Sequence, residues 1–128
     1  MKCLTVLSIL FGILFFSACE SQLQVVEISN KEALNYIEKN KDFLLLDVRT
    51  REEFNEAHIN GAINVPYDEL HYRIDEIINY KNKDVFVYCR TKNRSSAAKD
   101  TLIYYNFKKI YVMHEGFSNW GYGLVNNY

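Results

Sequence analysis

The sequence predicts an α/β fold built on a central, mostly parallel sheet with flanking helices. The apolar run 43–46 lacks the alternation of polar and apolar residues that marks a strand with one solvated face, and a run of β-forming residues at 84–88 predicts a second central strand. Continuous apolar strands are typical of parallel sheets that are covered on both sides. Each run leads through a short polar loop into a segment with helix-start signals, so strands and helices are expected to alternate along the chain.

Ahead of the first run, the sequence predicts a strand at 25–28 and then a helix. Ser29 and Glu32 have the spacing of a capping box, in which each side chain satisfies a backbone N–H group at the helix start. The helix is expected to end at 40–42, where Asn-Lys-Asp interrupts the pattern. Its apolar face consists of Ala33, Leu34 and Ile37.

Beyond the run at 43–46, Thr50 and Glu53 repeat the capping-box spacing and predict another helix. A further helix is expected from Tyr67, because apolar residues recur at helical spacing along the segment that follows. The members of that stripe are Leu70, Ile74, Ile77 and Ile78. The last helix is predicted at 95–106 and the last strand at 109–113.

Cys89 stands at the end of the second run, and three cations follow it closely: Arg90, Lys92 and Arg94. In a strand–loop–helix layout, the N–H groups of the loop and the positive end of the helix point at the thiol, which favours the thiolate and the binding of an anion. A free cysteine at a strand end is otherwise most often a small apolar core residue. Packing explains the cations poorly, so a reactive thiol beside an anion site is the favoured interpretation.

The segment Cys-Arg-Thr-Lys-Asn-Arg-Ser at 89–95 resembles the active-site loop of the rhodanese-like sulfurtransferases, which usually reads Cys-Arg-x-Gly-x-Arg-Ser. Lys92 replaces the usual glycine, and a lysine would be strained there if the position needs a positive φ. The passage at 47–66 is similar to the first signature of the family, with Asp-Val-Arg, then Glu-Phe, then His-Ile-x-Gly-Ala-x-Asn-x-Pro. The segment 115–120 is similar to the closing Gly-Gly-x-x-x-Trp, with glutamate in place of the first glycine. The resemblance covers residues 25–124.

This resemblance implies a rhodanese-like three-layer fold and a sulfurtransferase activity. The Cys89 thiolate would take the sulfane sulfur of a donor such as thiosulfate or a persulfide, and would pass it to a thiol acceptor. Asp47 and Arg49 are expected to support the site, either at the ligand crevice or as a brace behind the loop. His58 is expected to pack at a corner of the fold rather than act as a base. The substrate-binding residues that the loop implies are Arg90, Thr91, Lys92, Asn93, Arg94 and Ser95.

Three alternatives stay open beside the sulfurtransferase. One is a persulfide carrier that serves a single dedicated partner. Another is a non-catalytic binding module of the same family. The third, a cysteine-dependent phosphatase or arsenate reductase, is less favoured, because tyrosine-phosphatase loops place five residues between cysteine and arginine, whereas four separate Cys89 from Arg94.

Residues 1–18 have the features of a signal peptide: a lone cation at Lys2, an apolar run, and small residues before Cys19. The apolar run is shorter than the roughly 20 residues that a membrane-spanning helix needs, so cleavage is expected. Ser17-Ala18-Cys19 is similar to the lipobox of bacterial lipoproteins, which implies lipidation of Cys19, a polar tether at 19–24 and a rhodanese-like domain at 25–128. The expected location is the periplasmic side of the cell envelope, with the lipid as membrane anchor. A plain signal peptide cut elsewhere and a short uncleaved anchor are the alternatives.

Composition and cysteine count restrict the partners. The chain has 128 residues, 24% of them charged, and a formal net charge of −1, so no basic excess indicates nucleic-acid binding. With Cys3 in the signal and Cys19 acylated, Cys89 is the thiol that remains, and it has no partner for an internal disulfide. His71 and His114 have no partners at ligand spacing, so no metal and no cofactor are expected. The expected partners are a small anionic sulfur donor, a thiol acceptor that can be a protein, and the membrane.

Overall fold

The structure, a computed structural model, describes residues 21–126 and is organised around a five-stranded sheet. The strands of this sheet are β1 (Gln24–Ile28), β2 (Phe43–Asp47), β4 (Ile63–Asn64), β5 (Asp84–Tyr88) and β6 (Lys109–Met113), and a separate antiparallel pair contains β3 (Ala57–Ile59) and β7 (Leu124–Asn126). In the main sheet the order is β1-β6-β5-β2-β4, and every pair of neighbours is parallel. The predicted parallel sheet is confirmed.

The described region has three α-helices, two of which begin at the predicted capping boxes. They are α1 (Asn30–Lys39), α2 (Arg51–Glu56) and α3 (Asn93–Tyr104). Both predicted capping boxes form, one between Ser29 and Glu32 and the other between Thr50 and Glu53. Helix α3 begins earlier than its predicted start at residue 95, so its first turn is part of the cysteine loop.

The sheet is buried on both faces, as continuous apolar strands require. Alternate side chains of β2 and β5 point to opposite layers. One layer contains Leu44, Leu46, Val85 and Val87 with Ala98 and Leu102 of α3, and the other contains Leu45, Phe86 and Tyr88 with Ala33 of α1 and Trp120. The chain therefore forms three layers, with α1 on one face of the sheet and α3 on the other.

The prediction of an α-helix beginning at Tyr67 is wrong. Residues 67–73 form turns, and two short 3-10 helices follow at Ile74–Glu76 and Ile78–Tyr80. The apolar stripe is nevertheless core, since Leu70 and Ile77 are fully buried and Ile74 is 8% exposed. Ile74 and Ile77 are three residues apart, and residues at this spacing lie above one another in a 3-10 helix, so turns with i to i+3 hydrogen bonds bury the same face. The β-branched isoleucines add little intrinsic preference for an α-helix.

The ends of the domain differ from the sequence expectations in small ways. Strand β1 begins at Gln24, one residue before the predicted boundary. Strand β7, for which the sequence carries no clear signal, pairs with β3 and places Leu124 opposite Ile59. None of the helices within 21–126 is long and apolar enough to cross a bilayer. The predicted signal peptide at 1–18 and the predicted lipidation site Cys19 lie outside the described residues.

Candidate functional site

Cys89 lies at the carboxyl end of β5, between the neighbouring strands β2 and β6. The residue is 1% exposed, and its Sγ atom lies 3.5 Å from Oγ of Ser95, to which the thiol donates a hydrogen bond. The Ser95 hydroxyl in turn donates to the carbonyl of Lys92 at 2.9 Å. Because the start of α3 returns to the sulfur, residues 89–95 form one closed loop around it.

The loop keeps its backbone donors available. Within the described part of the chain, the N–H groups from Arg90 through Ser95 donate to no other backbone group, and Lys92, the cap residue of α3, offers no side-chain capping bond. The first N–H groups of a helix have no partner inside the helix, and they carry the positive end of its dipole. A run of unpaired donors beside a sulfur atom can bind an anion or a polarisable terminal sulfur.

The cysteine loop rests on the segment that follows β6. Gly116 has a φ of 67°, and a Cβ atom there would lie 2.3 Å from the carbonyl oxygen of Thr91. The next two residues bind this segment to the cysteine loop through backbone hydrogen bonds. The N–H of Phe117 donates to the Cys89 carbonyl at 2.8 Å, and the N–H of Ser118 donates to the Arg90 carbonyl at 2.9 Å. The second glycine of the closing family segment is therefore required here by main-chain contact.

Glu115, which replaces the first glycine of that segment, has a structural partner. Its carboxylate accepts a hydrogen bond from the N–H of Asn30 at 2.6 Å and so caps the start of α1. Asn30 is 2% exposed, and its side-chain amide donates to the carbonyl of Gly116 at 2.9 Å. The first turn of α1 thus supports the segment on which the cysteine loop rests.

Arg94 is held by a carboxylate of α2. Its two terminal nitrogens donate to the two oxygens of Glu53 at 2.6 and 3.0 Å, which is a bidentate pair. The hydrogen bonds from Arg94 lower the pKa of Glu53 from 4.5 to about 2, despite partial burial, and the N–H of Thr50 adds to the effect. This pair joins the Glu-Phe part of the first family signature to the cysteine loop.

Lys92 is also paired. Its Nζ atom lies 2.6 Å from a carboxylate oxygen of Glu27 on β1. Its φ is −144°, so the backbone does not need a positive φ there and the condition under which a lysine would be strained is not met. Arg90 and Thr91 are exposed, and within residues 21–126 Arg90 has no carboxylate at salt-bridge distance.

Asp47 and Arg49 form a buried pair behind the loop. The guanidinium donates to the carboxylate at 2.7 and 3.1 Å and to the carbonyl of Ala57 at 2.7 Å. Burial opposes the charge of Arg49, but the hydrogen bonds and charge of Asp47 outweigh it and raise the pKa of the arginine. The guanidinium lies 3.8 Å from the ring centre of Phe117, whose N–H holds the Cys89 carbonyl. The structure thus places the pair as a brace, and their role in the reaction stays a prediction.

His58 is used for packing, as expected. Its ring stacks on Phe54 with centroids 3.7 Å apart, and its Nδ1 atom lies 2.8 Å from the carbonyl oxygen of Phe54. The nearby hydroxyl of Tyr88 accepts from the N–H of Ile59 at 3.2 Å, and burial raises the pKa of this phenol. These groups fix the corner between α2 and β3.

The residues of the cysteine loop are predictable from the sequence, whereas the groups that surround the loop are not. The counterions Glu27 and Glu53, and the buried Asn30, were not identified as part of the site. The capping-box spacing places Glu53 in the first turn of α2, yet no local pattern connects it with Arg94. The ion pair of Glu27 with Lys92 connects residues that are far apart in the sequence, so no local sequence pattern predicts it.

Comparison with known proteins gives the site a family. The sequence profile of the rhodanese-like domain matches residues 29–122. The thiosulfate sulfurtransferase GlpE of Coxiella burnetii is 30% identical over 94 residues, which cover 73% of this chain and 85% of that protein. The putative sulfur carrier protein YrkF of Bacillus subtilis is 29% identical over 101 residues, covering 79% of this chain and 54% of YrkF.

Solved structures agree with this result. A rhodanese-related protein from Thermoplasma volcanium matches with a TM-score of 0.66 at 27% identity, and the match covers 77% of this chain and 96% of that one. Some curated relatives are longer: the match spans 25% of a probable molybdopterin-synthase adenylyltransferase from Porphyra purpurea and 54% of YrkF. With the profile covering most of the chain and the fold shared with the solved structures, the chain belongs to the rhodanese-like domain family.

Proposed function

We propose that this protein is a sulfurtransferase that moves a sulfane sulfur from thiosulfate or a persulfide to a thiol through a persulfide on Cys89. The observation that carries the proposal is the closed loop around Cys89, whose N–H groups from Arg90 through Ser95 are unpaired within the described region. A terminal sulfur bound to Cys89 would be surrounded by these donors. The names of the relatives, a thiosulfate sulfurtransferase among them, support the same chemistry.

In the first half-reaction, the Cys89 thiolate attacks the outer sulfur of the donor. With thiosulfate, the new bond joins Sγ to the outer sulfur, the bond to the sulfonate sulfur breaks, and sulfite leaves with that electron pair. The negative charge on the terminal sulfur of the product is stabilised by the unpaired N–H groups and by the positive end of α3. As the thiol becomes a thiolate, the Ser95 hydroxyl is near enough to turn from the Lys92 carbonyl and donate to Sγ.

In the second half-reaction, an acceptor thiolate attacks the terminal sulfur of the persulfide. The bond to Sγ breaks, the acceptor leaves as a persulfide, and Cys89 returns as a thiolate. Two half-reactions through one covalent intermediate predict ping-pong kinetics. Cys89 is 1% exposed, whereas Arg90 and Thr91, the next two residues of the loop, are exposed, so donor and acceptor would meet these residues on their way to the sulfur.

The test is to measure the intact mass of the protein by mass spectrometry after incubation with a sulfane donor. The expected result is a gain of the mass of one sulfur atom with thiosulfate or with a persulfide, its loss on addition of a thiol, and no gain in Cys89→Ala. Absence of loading with every donor would refute the proposal and favour a non-catalytic binding module. Turnover of an aryl phosphate that is lost in Cys89→Ser would favour the phosphatase.

A persulfide carrier is the second candidate, and the similarity to the putative sulfur carrier YrkF favours it. Carriage and turnover differ in the second half-reaction. A sulfurtransferase discharges its persulfide to small thiols on the time scale of loading. A carrier loads fully and discharges slowly until its dedicated protein acceptor is added.

We further propose that residues 1–18 are removed as a signal peptide and that Cys19 carries lipid on the periplasmic side of a bacterial membrane. The support is the sequence alone: the lone cation, the apolar run and the lipobox-like Ser17-Ala18-Cys19. The test is metabolic labelling with a tagged fatty acid in the native bacterium. Label that is present in the wild type and absent in Cys19→Ala supports the proposal, whereas an unlabelled wild type contradicts it.

A further inference from the structure

The three cations of the cysteine loop do not present three free charges. Lys92 is bound to Glu27 at 2.6 Å, and Arg94 is bound to Glu53 at 2.6 and 3.0 Å. Within residues 21–126, Arg90 is the loop cation that has no carboxylate at salt-bridge distance. The loop cations and their counterions together carry a net charge of +1, where the sequence of the loop alone gives +3.

Charge at the mouth of a site matters most for the most highly charged ligand, because the Coulomb energy is proportional to the product of the charges. Thiosulfate carries two negative charges, and the sulfane sulfur of a persulfide carries at most one. We infer that Glu27 is a specificity-determining residue, whose pairing with Lys92 withholds the charge of that lysine from dianionic donors such as thiosulfate and so limits their advantage over persulfides. The inference rests on the sulfur-transfer function proposed above.

The pair is a property of this chain rather than of the usual loop. The resembling loops have glycine where this chain has Lys92, so they have no side chain to meet a carboxylate at this place. Glu27 lies near the carboxyl end of β1, and the parallel pairing of β1 with β6 and of β6 with β5 brings that end to the same edge of the sheet as Cys89. The carboxylate is therefore built into the sheet edge beside the loop.

The other charges near Glu27 do not replace Lys92 as its partner. The hydrogen bond from Lys92 is the main cause that lowers the pKa of Glu27, and His114 and Lys99 add only their charge. Lys99 has its own carboxylate at 3.0 Å, that of Asp100. Glu27 thus faces chiefly the loop lysine.

Both kinds of donor undergo the same balanced step, so the rates can be compared directly. With a persulfide, the Cys89 thiolate attacks the terminal sulfur, the S–S bond of the donor breaks, and the donor leaves as its thiolate. With thiosulfate, sulfite leaves instead. No oxidant or reductant is needed in either case, and the modified protein is the same Cys89 persulfide.

The experiment compares the rate constants for loading Cys89 from thiosulfate and from the persulfide of N-acetylcysteine methyl ester, which has an uncharged tail. Glu27→Gln frees the charge of Lys92 and is expected to raise the ratio of the thiosulfate rate to the persulfide rate about two- to fivefold at low ionic strength, the range of an exposed ion pair. The gain should disappear at about 1 M salt, where the Debye length is about 3 Å.

Glu38→Gln is the matched control, because Glu38 is an exposed residue of α1 that forms no salt bridge within residues 21–126. It makes the same change in net charge and should leave the ratio of rates unaltered. In a Lys92→Gln background, Glu27→Gln should keep only the part of its effect that comes from removing the carboxylate's own charge, since the lysine that it frees is absent.

The outcomes separate this inference from the function on which it rests. An unchanged ratio in Glu27→Gln would overturn the inference and leave the sulfurtransferase standing. An equal rise for both donors would also overturn it, because it would show that the pair closes the loop over the thiol without selecting by charge. Failure of every donor to load Cys89 would refute the function itself.

Discussion

Two ion pairs beside the cysteine loop have nearly equal lengths and opposite surroundings. Arg49 and Asp47 meet at 2.7 Å with side chains 4% and 0% exposed, whereas Lys92 and Glu27 meet at 2.6 Å with side chains 43% and 55% exposed. Breaking a buried pair leaves a desolvated charge, whereas water readily replaces a partner at the surface. The distance between the charged atoms therefore does not show how much each pair contributes to stability. The buried pair belongs to the framework, and the exposed pair can be exchanged for a ligand.

The pair of Arg94 with Glu53 lies between these extremes. Both side chains are 26% exposed, and the contact is bidentate. Such geometry is stronger than a single exposed contact, because two parallel hydrogen bonds fix the planar groups. The loop is thus held firmly at Arg94 and weakly at Lys92.

The largest effect is expected at the buried pair. Asp47→Asn leaves Arg49 buried without a counterion, and we expect it to lower the free energy of unfolding by about 3–5 kcal/mol. Chemical denaturation measures the loss. The double variant Asp47→Asn with Arg49→Met serves as the control and should recover part of it, since no unpaired charge remains. A loss below about 1 kcal/mol in the single variant would show that the pair is not part of the framework.

An intermediate and pH-dependent effect is expected at Glu53. Its pKa is about 2 in the folded protein against an ordinary value of 4.5, so its contribution to stability is present above about pH 4.5 and is lost as the pH falls through 2. Glu53→Gln keeps a capping side chain but no charge. We expect it to cost about 1 kcal/mol near neutral pH, because the pair is partly solvated.

The measurement for Glu53 is unfolding of wild type and variant from pH 2 to pH 7. The difference between the two should be constant above about pH 5 and should shrink toward zero near pH 2. Glu38→Gln, at an unpaired surface position of α1, should show no such convergence. A difference that grows on acidification would contradict the assigned pKa.

The smallest effect on stability is expected at the exposed pair. A double-mutant cycle with Lys92→Gln and Glu27→Gln should give a small coupling energy, which falls further with added salt. The matched cycle uses Lys83 and Asp42, another exposed pair that meets at 2.6 Å far from the cysteine. Equal couplings would show that both are ordinary surface contacts. A coupling for Lys92 and Glu27 as large as the loss of stability in Asp47→Asn would end the contrast between the buried pair and the exposed one.

Local signals in the sequence predicted most of the fold. The runs at 43–46 and 84–88 form the central strands β2 and β5, and the capping boxes at Ser29 and Thr50 start α1 and α2. The segment after Tyr67 was mistaken for an α-helix because its apolar spacing also fits the i to i+3 turns that bury the same residues. Periodicity shows which face is buried more reliably than it shows the type of helix.

The candidate site was predictable only where its residues are close in sequence. Positions 89–95 stand together in the chain and in the structure. The contacts that complete the site connect the loop with Glu27, Glu53 and Gly116, which reach it from three other elements. Such long-range partners follow from the packing of the sheet and leave no local pattern in the sequence. The positive charge expected from the loop residues alone is therefore higher than the charge that remains once the counterions are included.

The contact at Gly116 has a mechanical consequence. Main chain meets main chain there with no flexible side chain between them, and the bonds from Phe117 and Ser118 tie the two segments at neighbouring points. A displacement of one segment therefore requires a displacement of the other. A protein that bound the turn after β6 and displaced it would therefore also displace the loop around Cys89, without contacting the sulfur itself.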